Sequence, residues 1–526
     1  MRGVQLLLIL ILFAVLLSAC APCGPARECP VTTDVVPAPM APPTPGEGPW
    51  NMTLFHLNDQ HAMFEAEPAT WRDDRALVGG FVALKFHLDE QRAQATASLT
   101  LDAGDFMTGH PVCEIEMHGV LGGGLMDMIN LLGIDAGVIG NHEFDLGREN
   151  ARRLVAHANH PRMALDLRNE RGDLEFPAEP IIFERGGLDV GVLGVTCAGL
   201  MDVCADSRVE GLVLDDQETV ARRWIERLDP ATDLIVMITH NGVAADTTLA
   251  RKLVGSGVDV IVGGHSHTRL RSPLLIGDIL VVQAGSRTTD LGRLDVWVEN
   301  DRVVSYDGQL ITTMAADRKG PSQLEALVDS FALRIEQEFG QQIGHLTTDW
   351  LRSGQGESNV GNWICDRLVE AAGADVALLN SGTLRKNFSA GPLTRLDIHQ
   401  LMPFSNLLET FEIDGAGLER ICLANARGAE SGHHGILQVG GLRYTSTVVD
   451  GQVEMVEVLV GGQPLDHSRV YRVACPDYVV MKADLYLDMD KPETHSTGVT
   501  ITDAIIAAVE STGDIVAQKD GRIARN

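Results

Sequence analysis

The sequence predicts an α/β protein built in two folded regions, and three observations support that. Over residues 50–312, apolar runs of strand length alternate with amphipathic stretches of helical period. One charged amphipathic segment, 323–339, then breaks the alternation ahead of a shorter mixed region, 341–526. With 526 residues, the chain is longer than one hydrophobic core normally organises, and at 45% hydrophobic and 22% charged it is not a wholly disordered polymer.

The N-terminus has its own logic. Arg2 supplies a positive flank, and Val4 to Leu17 is apolar apart from Gln5. That run is short for a bilayer span and has the length of a signal-peptide core. It ends Leu17-Ser18-Ala19-Cys20, which resembles the lipobox of bacterial lipoproteins. The resemblance implies cleavage before Cys20 and acylation of that residue, so residues 1–19 are expected to be a signal peptide. Residues 21–49 hold nine of the 22 prolines and read as an extended tether. The expected location is the cell envelope, with the membrane reached through the lipid anchor alone and a monomer above it. Setting Cys20 aside, the other eight cysteines contain no Cys-x-x-Cys pair, which argues against a zinc–thiolate site. In an oxidising compartment Cys197/Cys204 and Cys23/Cys29 are the local candidates for pairing, with connectivity open.

In the first region, 50–315, Met52–Leu57, Leu99–Leu101, Ala136–Ile139, Val190–Val195, Leu234–Ile238, Val258–Val262 and Ile279–Gln283 read as buried strands. Phe81–Ala93, Val120–Leu132, Glu149–Ala158, Gln217–Leu228 and Ala244–Leu253 read as the helices between them. Such alternation covers a sheet on both sides and puts function where strands end. After the Lys319-Gly320-Pro321 break, 316–340 reads as a connector carrying the helix Gln323–Phe339. Beyond it, helices are expected near Asn362–Ala372 and Gly417–Ala426. Strands are expected at Val376–Leu379, Leu408–Ile413, Gly441–Val448, Val453–Val460 and Tyr471–Ala474.

Five motifs follow predicted strands in the first region: Asp59-Gln60-His61, Gly104-Asp105, Gly140-Asn141-His142-Glu143-Phe144-Asp145, Thr239-His240 and Gly264-His265-Ser266-His267. Any one alone is an ordinary capped turn or loop histidine; five in this order are hard to obtain by chance. Carboxylate, amide and imidazole donors together suit borderline divalent metals, Zn, Mn, Co or Fe, better than Ca or Mg. Seven such donors suit two ions sharing a carboxylate, an arrangement that holds a hydroxide between the ions and clamps an in-line displacement at phosphorus.

The motif order resembles the calcineurin-like metallophosphoesterases, and more narrowly the 5'-nucleotidases that carry a dedicated C-terminal substrate domain. That resemblance implies a four-layer α/β/β/α domain followed by a smaller mixed α/β domain. It implies one ion on Asp59, His61, Asp105 and His267 and a second on Asp105, Asn141, His240 and His265. It also implies that His142 faces the phosphoryl group and that Asp145 orients it. Glu143 is expected to pack or cap locally. His56, His87, His110 and His118 carry no matching spacing and read as core or surface residues.

The second region contains Asn359-Val360-Gly361-Asn362-Trp363, Asn380-Ser381-Gly382-Thr383-Leu384-Arg385 and Met402-Pro403-Phe404-Ser405-Asn406. The same resemblance makes Asn380 and Arg385 polar contacts to the substrate and Phe404 one face of an aromatic clamp. A guanidinium suits phosphate through its planar fork of donors. Tyr478 and Asp484 keep the family's spacing for the other face and for a ribose contact. The glycines of the family's Gly-Gly-Asp-Gly are Lys482, Ala483 and Leu485 here, which should reshape that loop. No Arg stands at the family's second phosphate position; Arg352 is near but offset.

The expected function is metal-dependent hydrolysis of nucleotide phosphate monoesters. The alternatives are a 2',3'-cyclic phosphodiesterase or 3'-nucleotidase, a nucleotide-sugar hydrolase, and a thiosulfohydrolase of sulfur oxidation. A surface binding lipoprotein with a decayed metal site predicts missing ligands, yet all seven are present. The net charge of -30 argues against nucleic-acid polymers as partners. A small anion meets only the local field, which two cations, an imidazolium and Arg385 would make positive.

Overall fold

The computed structural model describes residues 50–526 apart from residues 70, 177–178, 316–321 and 432–434. The signal segment, Cys20, the tether, Cys23 and Cys29 lie outside the described residues.

In the first region β1 (Trp50–Leu57), β2 (Ser98–Asp102), β3 (Ala136–Val138) and β4 (Arg162–Met163) are parallel neighbours. The chain then builds a second sheet from β5 (Ile181–Arg185), β6 (Leu188–Gly194), β7 (Leu234–Ile238), β8 (Val260–Val262), β9 (Leu274–Ile276) and β10 (Ile279–Val282). Its order is β5-β6-β7-β8-β10-β9, with β6, β7, β8 and β10 parallel and an antiparallel strand at each edge. Finally β11 (Asp290–Val298) returns to the first sheet antiparallel to β1, and β12 (Val303–Thr312) forms its edge.

Strand alternation decides the layers. Met52 and Leu54 of β1 enter a core shared with Val190, Val236 and Val260 of the other sheet. Phe55 and Leu57, of opposite parity, face α1 (Phe81–Arg92) and α2 (Gly123–Asn130) through Phe81, Leu84, Leu125 and Ile129. On the far side α4 (Gln217–Leu228) and α5 (Val243–Leu253), which follow α3 (Arg148–His157) in the chain, add Val220, Ile225, Leu249 and Leu253. The result is the expected helix–sheet–sheet–helix stack. Between β2 and β4 sits a fully buried ion pair, Arg162 Nη2 to Asp102 Oδ2 at 2.7 Å. The guanidinium also covers the Phe106 ring at 4.3 Å, tying down the loop that leaves β2.

The connector helix α6 (Gln323–Phe339) lies against the first region, with Leu324, Val328, Phe331 and Ile335 in the α1/α2 core. Gly124 of α2 has no room for a side chain, since a Cβ there would sit 2.0 Å from the Phe331 ring. In the second region α7 (Asn359–Ala372) starts where Ser358 Oγ accepts from the Gly361 amide and stops at Gly373, φ 57°. It covers a sheet of β13 (Val376–Asn380), β14 (Leu407–Asp414), β15 (Leu437–Gly440), β16 (Val470–Pro476) and β17 (His495–Thr500) in the order β15-β13-β16-β14-β17.

Two expectations change. The helix read from Val120 is a short strand, Val120–Leu121, and α2 begins only after Gly122, whose φ of 77° ends the hairpin. Cys197 and Cys204 are both buried free thiols, not a disulfide, and burial pushes the Cys197 thiol up to about 12.

Candidate metal centre and substrate cleft

The predicted donors converge because the parallel strands of both sheets end on one side. Asp59 and His61 follow β1, Asp105 follows β2, and Asn141 and His142 follow β3; His240 follows β7, and His265 and His267 follow β8. The turns there are tight: Asp59, His61, Asp105, His265 and His267 have φ of 49°, 48°, 56°, 76° and 54°. Side-chain-bearing residues rarely adopt this region, and such strain gathers at sites where direction of the side chain matters. Gly140 allows Asp105 and Asn141 to approach, because a Cβ at 140 would lie 2.2 Å from Asp105 Oδ1.

Two donor groups form. In one, His61 Nε2 is 2.9 Å from His267 Nε2, and Asp59 Oδ1 is 3.9 Å and 3.4 Å from those nitrogens. In the other, Asp105 Oδ2 is 2.9 Å from His240 Nε2, and Asn141 Oδ1 is 3.0 Å from His265 Nδ1. Asp59, His61 and His267 place donor atoms within 4.8 Å of one another, as do Asp105, His240 and His265. Asp105, with His61 and His142, makes a further such group between the two.

Four observations fit this set to divalent cations. His61 Nδ1 lies 3.1 Å from the Thr108 carbonyl and His240 Nδ1 2.5 Å from the Ala103 carbonyl; this puts a proton on each Nδ1, leaves Nε2 of the neutral His61 as a lone pair, and turns Nε2 of His240 to the site, where a cation would take the place of its proton. His240 Nε2 is buried and, despite its proximity to Asp105, has no hydrogen-bond partner of acceptable geometry. Burial opposes charge on His240, yet Asp105 outweighs it and pushes the imidazole up to about 10, so the pocket draws positive charge. Burial holds His61 well below its ordinary value and His265 down to about 4, leaving both neutral and able to donate.

Glu143 has more to do than local packing. Its carboxylate is fully buried and accepts from the amides of Gly140 at 2.7 Å, Phe106 at 2.8 Å, Asp105 at 3.1 Å and Met107 at 3.2 Å. It thereby locks the Asp105 loop to the Asn141 loop. Burial, followed by Asp105, pushes its carboxyl up to about 7. Only a buried acid inside a ligand-bearing motif hints at this in sequence.

His142 stands beside the donors. Its amide donates to Asp105 Oδ1 at 2.9 Å, and its Nδ1 is 2.7 Å from Asp145 Oδ2, which also accepts from Thr108 Oγ1 at 2.7 Å. Its Nε2 lies 3.9 Å from Asp105 Oδ2. Burial disfavours the imidazolium, but Asp145 and Asp105 outweigh it and raise the pKa.

A cleft of about 380 Å³ opens on His142 between the two regions. From the first region come Asn141, His142, Asp145 and His265; from the second come Asn380, Arg385, Phe404 and Tyr478. The Phe404 ring is 5.9 Å from the His142 ring, and the Arg385 guanidinium is 5.9 Å from Phe404. Asn380 is buried, its Oδ1 accepting from Thr383 Oγ1. Tyr478 forms a wall: its hydroxyl donates to the Val203 carbonyl at 3.3 Å, and its ring meets Tyr486 edge-on at 6.0 Å. Asp484 does not join them; it is exposed and outside the cleft lining, where Tyr486 stands instead. The reason is local: with no glycines the loop folds as two short helices, Asp477–Met481 and Ala483–Tyr486.

Sequence reasoning missed two features here. Lys482, in a family glycine position, crosses to the first region and donates to Asp206 Oδ1 and the Met201 carbonyl, both at 2.8 Å. Lys386 likewise reaches Glu67, which also accepts from Arg287. The offset Arg352 comes close enough to Arg385 that, after burial, it is the next cause holding Arg385 below its ordinary value. Among the described residues neither Arg352 nor Arg385 makes an ion pair, although Asp105 and Asp145 act on Arg385 through space.

Comparisons with known proteins agree with this geometry. Residues 52–269 match the family model of calcineurin-like phosphoesterases, and residues 342–491 match that of the 5'-nucleotidase C-terminal domain. The 5'-nucleotidase of Vibrio cholerae is 25% identical over 521 residues, covering 89% of this chain and 91% of that protein. The trifunctional nucleotide phosphoesterase protein YfkN of Bacillus subtilis is 26% identical over 503 residues, covering 85% of this chain. The chain spans only 33% of that relative's length. Among solved structures, a 5'-nucleotidase precursor from Thermus thermophilus superposes with a TM-score of 0.80 at 26% identity, covering 90% of this chain and 99% of that one.

Proposed function

We propose, for a chain that belongs to the calcineurin-like phosphoesterases with a 5'-nucleotidase C-terminal domain, hydrolysis of nucleotide phosphate monoesters. The chain is a hydrolase of phosphoester bonds. One observation carries the choice of substrate: a single cleft joins the donor cluster and His142 to an unpaired Arg385 and an aromatic Phe404.

Two divalent ions are assigned, one on Asp59, His61, Asp105 and His267, the other on Asp105, Asn141, His240 and His265. Such ions acidify water and neutralise charge on phosphoryl oxygens. The protein's own residues do the rest. Arg385, with Arg352 near enough to add to the local positive field, binds the phosphoryl oxygens and orients the ester for in-line attack. The Asp145 carboxylate accepts from Nδ1 and favours the imidazolium of His142, which keeps a proton at Nε2 as well and stabilises charge on the phosphoryl group and on the departing 5'-oxygen. Phe404 and Tyr478 take the base between them, and stacking tolerates any base. Asp484, being exposed, supports no ribose contact in this arrangement; Asn380 is among the polar groups of the second region that line the cleft. A lipid on Cys20 places this activity at the cell envelope, a reading supported by Arg2, the apolar run and Leu17-Ser18-Ala19-Cys20. Among the described residues no helix is long and apolar enough to cross a membrane.

The test is phosphate release by the full chain loaded with Mn²⁺ or Co²⁺, measured as kcat/KM on AMP, UMP, cyclic AMP, UDP-glucose and an aryl phosphate. AMP and UMP should exceed the aryl phosphate, and Tyr478→Ala should raise KM for AMP roughly tenfold while sparing the aryl phosphate. Turnover of the aryl phosphate with none of the nucleotides would sink the nucleotidase reading. A preference for cyclic AMP or UDP-glucose would transfer the site to those substrates.

A further inference from the structure

Away from the cleft, the structure brings together His118, Asp127 and His157, none of which lines the substrate pocket or belongs to the donor cluster. His118 Nε2 is 2.9 Å from Asp127 Oδ2, and His157 Nε2 is 2.7 Å from Asp127 Oδ1. One donor atom from each residue falls within 4.8 Å of the others, and the two imidazoles face each other at 4.8 Å with planes 34° apart. We propose that these three residues form a separate binding site for a divalent transition cation of the zinc class, which staples three elements of the first region.

Chemistry and placement both favour a cation. Two imidazole nitrogens and one carboxylate are the donor set that Zn²⁺ and its neighbours prefer, and the half-exposed His118 leaves a coordination position open to water. His157 is the last residue of α3, where helix carbonyls leave partial negative charge, and the chain as a whole is strongly acidic.

The donors are also held in place. Asp127 lies in α2, His157 in α3, and His118 in the hairpin turn between strands Glu116–Met117 and Val120–Leu121. His118 adopts a φ of 59°, an uncommon conformation for a side-chain-bearing residue. Asn150 of α3 holds that hairpin by a pair of 3.0 Å hydrogen bonds to the Leu121 amide and carbonyl. Asn130 Nδ2 of α2 donates to the His157 carbonyl at 3.1 Å, so little must be ordered when the ion binds. The hairpin directly follows the turn Pro111–Glu114, which lines the substrate cleft, while His118, Asp127 and His157 themselves stand outside it.

Equilibrium dialysis of the full chain at saturating free Zn²⁺ tests this. The His118→Ala/His157→Ala variant should bind one equivalent fewer than the wild type, show a smaller rise in Tm with zinc, and keep its phosphoesterase rate. Asp127→Asn, which preserves shape but removes the charge and trades one acceptor oxygen for an amide donor, should weaken that one equivalent by about tenfold or more. Equal stoichiometry in wild type and both variants would overturn the site. Failure here is distinguishable from failure of the main centre, because His240→Ala should remove a different ion and leave this one bound.

Discussion

His240→Ala is expected to lower kcat by roughly 10³-fold or more and to bind one ion fewer at the main centre. The residue is wholly buried, and its Nδ1 is committed to the Ala103 carbonyl. Its Nε2 therefore points at Asp105 with no other task. Alanine removes a nitrogen donor that no neighbour replaces, and it leaves Asp105 and Asp59 facing each other with less positive charge between them. Metal content and kcat are measured together, with circular dichroism confirming the fold. Full rate with an unchanged metal count would refute the assignment of His240.

His142→Ala is expected to behave differently: kcat falls about 10²- to 10³-fold while the metal content and KM stay near wild type. The contrast follows from position. In the proposed mechanism His142, its Nδ1 engaged by Asp145, faces the substrate as an oriented cation and not as a ligand. If it stabilises the departing oxygen, AMP should suffer more than an aryl phosphate, whose leaving group needs less help. An unchanged kcat, or loss of an ion from the variant, would remove His142 from this role.

Much of the main centre was legible because parallel strands deliver their ends to one side of a sheet, so donors spaced far apart in sequence are forced together. The five strand-end motifs needed only the strand pattern to be correct. What escaped the sequence depends on distances between elements. Arg352 reads as offset along the chain, while the fold brings it close enough to Arg385 to act on it through space. Lys482 reads as the loss of a glycine, and only packing of the two regions turns it into a contact with Asp206. Glu143 reads as a local cap because nothing in the sequence reveals that four amides from two loops point at one carboxylate. His118 reads as a surface residue until α2 and α3 place Asp127 and His157 beside it. Strands β11 and β12, absent from the sequence reading, carry polar residues such as Asp290 and Asp295 that blur the apolar run. The loop around Asp484 shows the converse: the spacing matches, but without glycines the backbone folds as a short helix that leaves the side chain exposed.

Anomalous scattering from crystals of the full chain grown with Mn²⁺ tests the central claim most directly. The geometry predicts two peaks about 3.5–4 Å apart with the Asp105 carboxylate between them. Asp59, His61 and His267 should surround one peak, and Asn141, His240 and His265 the other. A single peak at this centre, or a pair of ions that Asp105 does not bridge, would contradict the account.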